Sequence, residues 1–258
     1  MIKESEKFSN SSIFEGMSSI SALIKAIELG KNDRKILNII IDSEKKEKKS
    51  REISFLKAKA TTHKYNIQFA ERAEIDSITV GSSHGGIIAQ CTERTIPTLN
   101  TEKIKNNGVY FLLEGIEDPY NFGYSVRSLY AAGVDGVVLS PRNWMSAAGV
   151  VARSSAGASE LMDMFVCDPV DAVNLFSKLG YQIVCAGIRD SVSLFDADLK
   201  KPLLVILGGE KRGISRAVLE KADKIVRIDY GSDFGGSLST AAATAVFAFE
   251  ILRNNPKS

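Results

Sequence analysis

The run Leu203-Leu204-Val205-Ile206-Leu207-Gly208-Gly209-Glu210-Lys211-Arg212-Gly213-Ile214-Ser215 joins five consecutive apolar residues to a glycine-rich turn. An uninterrupted apolar run of this length fits a strand buried on both faces. Such strands occur where helices cover both sides of a parallel sheet. The turn that follows leads into a helix, and glycine-rich turns there expose backbone N–H groups suited to anions. It carries neither the GxxxxGK[ST] phosphate loop nor the GxGxxG dinucleotide fingerprint. Spacing alone therefore predicts a ligand-facing loop without naming the ligand.

The same alternation extends outward from residue 203. Strands are predicted at 109–113, 136–139, 162–166, 182–185, 203–207 and 224–228, with helical stretches between most of them. Leu238, Ala241, Ala242, Ala245, Val246 and Phe249 form one stripe of a final helix. Its alanines suit close packing against a sheet or a second subunit. Upstream, Ile20, Leu23, Ile24 and Ile27 follow helical spacing, and Gly30 ends that helix. Residues 36–41, 67–70 and 87–91 read as strands, with a lysine-rich helix running through Leu56 and Ala60. Pro97 and the polar stretch from Asn100 to Gly108 read as a linker. The expected organisation is a smaller α/β domain over residues 1–100 and a parallel α/β domain over 101–258.

Composition excludes several classes. The 258 residues carry 33 Lys+Arg against 31 Asp+Glu, and 44% are hydrophobic, so a packed core is expected. No stretch approaches the roughly 18 apolar residues of a membrane helix. The charged start MIKESEKFSN does not read as a secretory signal. Three cysteines without CxxC pairing and two histidines argue against a disulfide scaffold or a metal site. A reducing cytoplasm is the expected setting. The net charge of +2 is unusually small for a nucleic-acid binder. It hides an asymmetry, because residues 1–100 hold 16 Lys+Arg against 13 Asp+Glu and the remainder 17 against 18. The excess centres on Lys45, Lys46, Lys48, Lys49 and Arg51, either a solvated helix face or a phosphate-contacting patch.

Two further loops follow strands, where ligands bind in open α/β sheets. In Asp118-Pro119-Tyr120-Asn121-Phe122-Gly123, Asn121 is placed to cap a helix carrying Arg127. That helix is expected to bury Val126, Leu129, Tyr130 and Gly133, with Arg127 at the border. In the other, Ile228-Asp229-Tyr230-Gly231 leads through Ser237-Leu238-Ser239 to the final helix, with Ser237 or Ser239 as cap.

Taken in order, these three segments resemble the motifs of the SpoU, or TrmH-like, family of RNA 2'-O-ribose methyltransferases. Arg153-Ser154-Ser155-Ala156-Gly157-Ala158 is similar to a recurrent family segment. His84-Gly85-Gly86-Ile87-Ile88-Ala89 resembles the close of the substrate-binding module that often precedes the catalytic domain. The resemblance implies a parallel α/β sheet whose C-terminal part is tied in a trefoil knot, of the SPOUT type. It also implies a small RNA-binding domain in front, S-adenosylmethionine as cofactor and a homodimer joined through the catalytic domain. RNA is the implied partner, ribosomal RNA in preference to tRNA. Arg127, Asn121, Glu210, Ser237 and Ser239 match the catalytic positions. Leu207, Gly208, Gly209, Gly213, Ile228, Tyr230 and Leu238 match the cofactor-contacting ones. Lys45, Lys46, Lys48, Lys49 and Arg153 are the candidate RNA contacts, and no metal is implied. A guanidinium normally stays protonated, so Arg127 is open to two roles, proton acceptor or cation holding a phosphate or alkoxide. The family's third motif commonly reads Ser-Leu-Asn, whereas this chain has Ser239. That departure leaves an active enzyme or a non-catalytic RNA-binding relative as the two readings.

Overall fold

The computed structural model describes residues 13–80, 84–141 and 147–256. The charged N-terminal stretch discussed above lies outside them. In chain order the elements begin β1 (Ile13–Glu15), α1 (Gly16–Glu28), β2 (Ile36–Asp42), α2 (Ser50–His63), β3 (Asn66–Ala70), α3 (Arg72–Ile78) and β4 (Ile87–Cys91). They continue β5 (Val109–Glu114), α4 (Pro119–Ala131), β6 (Gly136–Leu139), α5 (Ala148–Ser154), α6 (Ala158–Leu161) and β7 (Met164–Val166). The remainder is α7 (Pro169–Lys178), β8 (Gln182–Ala186), β9 (Val192–Ser193), β10 (Leu203–Gly208), α8 (Arg216–Leu219), β11 (Lys224–Arg227) and α9 (Thr240–Asn254). Among the described residues no helix is long and apolar enough to cross a membrane.

Contacts divide the chain into two compact units. The first holds the described residues up to Thr95 and those from Ala147 to Leu161. Its sheet has the order β1-β4-β2-β3 and is mixed, since β2 pairs with β3 in parallel and with β4 antiparallel. Phe14, Ile20, Leu23, Ile39, Ile41, Leu56 and Ile87 form its core, joined by Ala148 and Ala152 of α5. A buried polar cluster adds α6. Arg34 Nε lies 2.9 Å from Glu160 Oε2, with both side chains at most 2% exposed. Arg34 Nη1 donates to the Thr92 carbonyl at 2.7 Å, and Asn32 Nδ2 donates to the same Glu160 carboxylate at 3.1 Å. Nothing in the composition of residues 147–161 signals that they pack with the first hundred.

The second unit contains one seven-stranded sheet of order β7-β6-β5-β10-β8-β11-β9. Every pairing in it is parallel. The apolar run quoted first is β10, and its central place explains why residues 203–207 are all buried. Helix starts follow local chemistry. Asp118 caps α4 by accepting from the Tyr120 N–H at 2.8 Å, with Pro119 at the first position. Asp168 and Pro169 do the same for α7. Asn121 is therefore not the cap expected above; it lies inside α4.

One helix face also differs from expectation. In α4, Phe122, Val126 and Leu129 are buried, but Tyr130 is 41% exposed. In α9 the inward residues are Thr240, Thr244, Phe247, Ala248 and Ile251. The expected stripe is the outer one, and Leu238 and Phe249 are exposed. Of the two packing roles open to the alanines, the inner one is taken by the face that carries Thr240, Thr244 and Glu250.

The buried pair gives the first prediction. Glu160→Gln leaves Arg34 charged and unpaired in the interior, which costs about 3–5 kcal/mol. Replacing both, Arg34→Met with Glu160→Leu, should recover most of that loss in urea unfolding. Equal destabilisation by the single and double variants would show that packing, not charge, holds α6.

Candidate active site at the carboxyl ends of the strands

The loops after β5, β10 and β11 meet at the carboxyl edge of the second sheet. Hydrogen bonds tie the first two together. The Gly209 N–H donates to the Glu114 carbonyl at 2.7 Å, and the Ser215 N–H donates to Glu114 Oε2 at 3.2 Å. The turn closes on itself through the Gly213 N–H and the Gly209 carbonyl at 2.9 Å. Lys211 Nζ and Glu117 Oε2 make an exposed ion pair at 2.6 Å.

Glu210 gathers the three segments. Its Oε1 accepts from Asn121 Nδ2 of α4 at 2.8 Å and from the Thr240 N–H, the first residue of α9, at 3.2 Å. Thr240 Oγ1 donates in turn to the Gly208 carbonyl at 3.2 Å. A carboxylate at a helix N-terminus answers unpaired N–H groups and the helix dipole together. Thr240 carries no family signal in the sequence; its place beside Ser239 was the only hint.

The remaining motif residues divide. Ser239 caps α9, its Oγ accepting from the Ala242 N–H at 3.2 Å. Ser237 is exposed, and its hydroxyl has no partner among the described residues. Arg127 is exposed and likewise unpaired among them. It stands six residues beyond Asn121, about 120° away around the helix at 100° per residue. The fold thus joins Asn121, Glu210, Gly208 and the start of α9, while Arg127 points from another face of α4. Arg153 belongs to the first unit, where its Nη1 lies 2.6 Å from Glu15 Oε2, a carboxylate only 5% exposed. That pairing gives Arg153 a structural task. The lysine run sits in a short turn ahead of α2 and not on its face. There Lys49 pairs with Glu52 at 2.8 Å, and Lys46 Nζ lies 5.3 Å from the centre of the Phe69 ring.

The loop from Ile228 to Ser237 suits a ligand bound through backbone. Among the described residues, none of its N–H or C=O groups pairs with another backbone group. Tyr230 closes it, the hydroxyl accepting from the Leu238 N–H at 3.1 Å. Open peptide groups beside Gly208, Gly209 and Gly213 fit the expected S-adenosylmethionine, whose polar edges need donors and acceptors more than charges. Burial pushes the Cys185 thiol in β8 up to about 12.

Glycine is required where backbones touch. A Cβ on Gly209 would stand 1.9 Å from the Gly115 carbonyl oxygen, whereas one on Gly231 would meet nothing within 4 Å. Gly209→Ala should therefore cost on the order of 1–3 kcal/mol and weaken S-adenosylmethionine binding at least tenfold by calorimetry. Gly231→Ala should change neither; equal effects would mean that the turn relaxes freely.

Comparison with known proteins places this arrangement. Residues 108–249 match the model of the SpoU rRNA Methylase family. Residues 15–97 match RNA 2'-O ribose methyltransferase substrate binding. The 23S rRNA (guanosine-2'-O-)-methyltransferase RlmB of Blochmanniella floridana is 32% identical over 197 residues, 73% of this chain and 76% of the relative. Its counterpart in Shewanella oneidensis is 30% identical over 193 residues, 73% and 78%. The AdoMet-bound rRNA methyltransferase of Sinorhizobium meliloti shares the fold, with a TM-score of 0.78 at 21% identity, over 98% of this chain and 95% of that one. Family match, parallel sheet and the Glu210-centred edge agree: the chain belongs to the SpoU rRNA methylase family and is an S-adenosylmethionine-dependent RNA 2'-O-ribose methyltransferase.

Proposed function

We propose that the protein methylates the ribose 2'-hydroxyl of an unpaired nucleotide in ribosomal RNA, acting as a homodimer. The observation that carries the catalytic part is Glu210 holding Asn121 and Thr240 together at the strand ends. Ribosomal RNA is favoured by the front module and by relatives whose names specify 23S rRNA. An unpaired target is favoured because sequence-specific RNA recognition addresses loops, bulges and ends, whose bases are free to be read.

The cofactor supplies an activated methyl group, and the protein's residues orient the acceptor and take up charge. Gly208, Gly209, Gly213, Ile228, Tyr230, Leu238 and Leu207 would hold it. Asn121 and Glu210 fix the turn after β10 against α4 and α9, so the reacting groups meet a preset frame. Arg127 acts as a cation, because its guanidinium keeps its proton and has no acid partner among the described residues. It holds the target's phosphate and stabilises the alkoxide as the hydroxyl proton leaves to solvent. Ser237 offers a hydroxyl toward the acceptor. Ser239 keeps the start of α9 in place, a task that needs an oxygen acceptor and not the amide of the common motif.

Exposed apolar surface supports the homodimer. Tyr120 and Tyr124 stand one turn apart on α4, and Leu238 and Phe249 lie on and beside α9. Helices α4 and α9 pack on one another, so these residues belong to one layer. The knot is supported by the chain's route. From β11, separated from β5 by β8 and β10, the chain returns across the edge to lay α9 on α4.

Two measurements test this reading. Tritiated-methyl transfer to bulk rRNA should fall at least about 100-fold in Arg127→Ala, with cofactor affinity within a few-fold of wild type. Joint loss of both would refute the role given to Arg127, and no transfer by wild type to rRNA would refute the substrate. Lys45, Lys46, Lys48 and Lys49, each changed to Gln, should weaken RNA binding and flatten its salt dependence. An unchanged slope would reduce the run to a solvated turn.

A further inference from the structure

An open cleft of about 660 Å³ lies in the first unit at the starts of β2 and β3 and the end of α2. Its volume falls in the roughly 300–1,000 Å³ range of small-ligand sites. Lys35 and Lys64 line it, both exposed and both without an acid partner among the described residues. His63 lines it too, and its imidazole sits 3.3 Å from Glu28, a carboxylate already paired with Lys59 at 2.6 Å. Arg34 forms part of the wall. Its Nε and Nη1 are bonded to Glu160 and Thr92, but Nη2 is buried with no acceptor. Leu37, 44% exposed, supplies an apolar patch in the same wall.

The cleft is continuous with the lysine turn through one strand. β3 is the edge of its sheet and leaves Asn66, Gln68 and Phe69 exposed. Asn66 lines the cleft at one end. At the other, Phe69 lies under Lys46, and the Ala70 carbonyl accepts from Ser43 Oγ at 3.0 Å. Five strand residues span roughly 16 Å at about 3.3 Å each. A basic cleft, an exposed aromatic edge and a basic turn in line are the parts of a track for single-stranded nucleic acid.

We propose that this cleft is a second RNA contact of the module, taking one nucleotide with its phosphate between Lys35 and Lys64 and its base against Leu37. The proposal rests on the reading that the first unit recruits RNA, and it places a contact at the far end of the sheet from Lys45–Lys49.

The test uses the full chain and a fluorescein-labelled oligouridylate, with anisotropy measured across a salt series. Lys35→Gln with Lys64→Asn removes both charges, and Asn tolerates the left-handed backbone of residue 64, whose φ is 55°. Affinity should drop about tenfold or more. The slope of log K against log salt should fall by about 0.7, the value for one phosphate on a single strand. Lys35→Arg with Lys64→Arg should restore both, which loss of folding could not explain. With 4-thiouridine in the probe, crosslinks should map to Lys35, Leu37 or Lys64. If the neutral variant binds as wild type does while the Lys45–Lys49 variant is weakened, the cleft is not an RNA site and the recruiting role stands. If wild type does not bind the oligouridylate even at low salt, the recruiting role and the cleft fall together.

Discussion

The Glu210 carboxylate is the point on which the catalytic edge turns. It sits on the loop after the central strand and accepts from a side chain of α4 and from the first N–H of α9. Those partners are 89 and 30 residues away in sequence. One acidic side chain therefore sets the spacing of three loops that local propensity leaves independent. Two donors converge on one oxygen of an exposed side chain, and the helix N-terminus adds its dipole. In the proposed mechanism the carboxylate positions the loops, and the charge that acts on the substrate comes from elsewhere. Arg127 alone among the expected catalytic residues carries a free positive charge.

Much of the fold was legible because its signal is local. Continuous apolar runs identified the strands at 109, 136, 182, 203 and 224, and the structure moves their ends by one residue or less. The strand expected from residue 162 begins two residues later, at Met164. β1 and β9, of three and two residues, escaped because they are shorter than any pattern that periodicity can resolve. The start of α4 offers two residues of capping type; Asp118 with Pro119 takes the cap, and the Asn121 amide bonds Glu210, 89 residues away. The buried face of α9 carries no continuous apolar signal, because Thr244 donates to the Thr240 carbonyl and the Glu250 carboxylate accepts from Arg253 and Asn254.

The near-neutral net charge takes on a different meaning once its location is known. Unpaired lysines of the first unit lie at both ends of one sheet, while several other basic residues are consumed by carboxylates. Arg34, Arg153, Lys49 and Lys59 each have a carboxylate within 3 Å. Counting charges along the chain mixes these structural pairs with the few cations that face solvent. The second unit needs no such excess, since its expected cofactor contacts are peptide groups.

The packing of residues 147–161 with the first unit has a bearing on how this chain can be dissected or recombined. A fragment cut near residue 100 would carry the whole four-stranded sheet and yet lack Ala148 and Ala152 from its core. It would also leave Arg34 buried without Glu160, and Glu15 without Arg153. The recruiting module is thus discontinuous in sequence, completed by a segment borrowed from the middle of the methyltransferase. Exchange of such a module between relatives has to carry two stretches of chain at once, so modules and catalytic halves are constrained to change together.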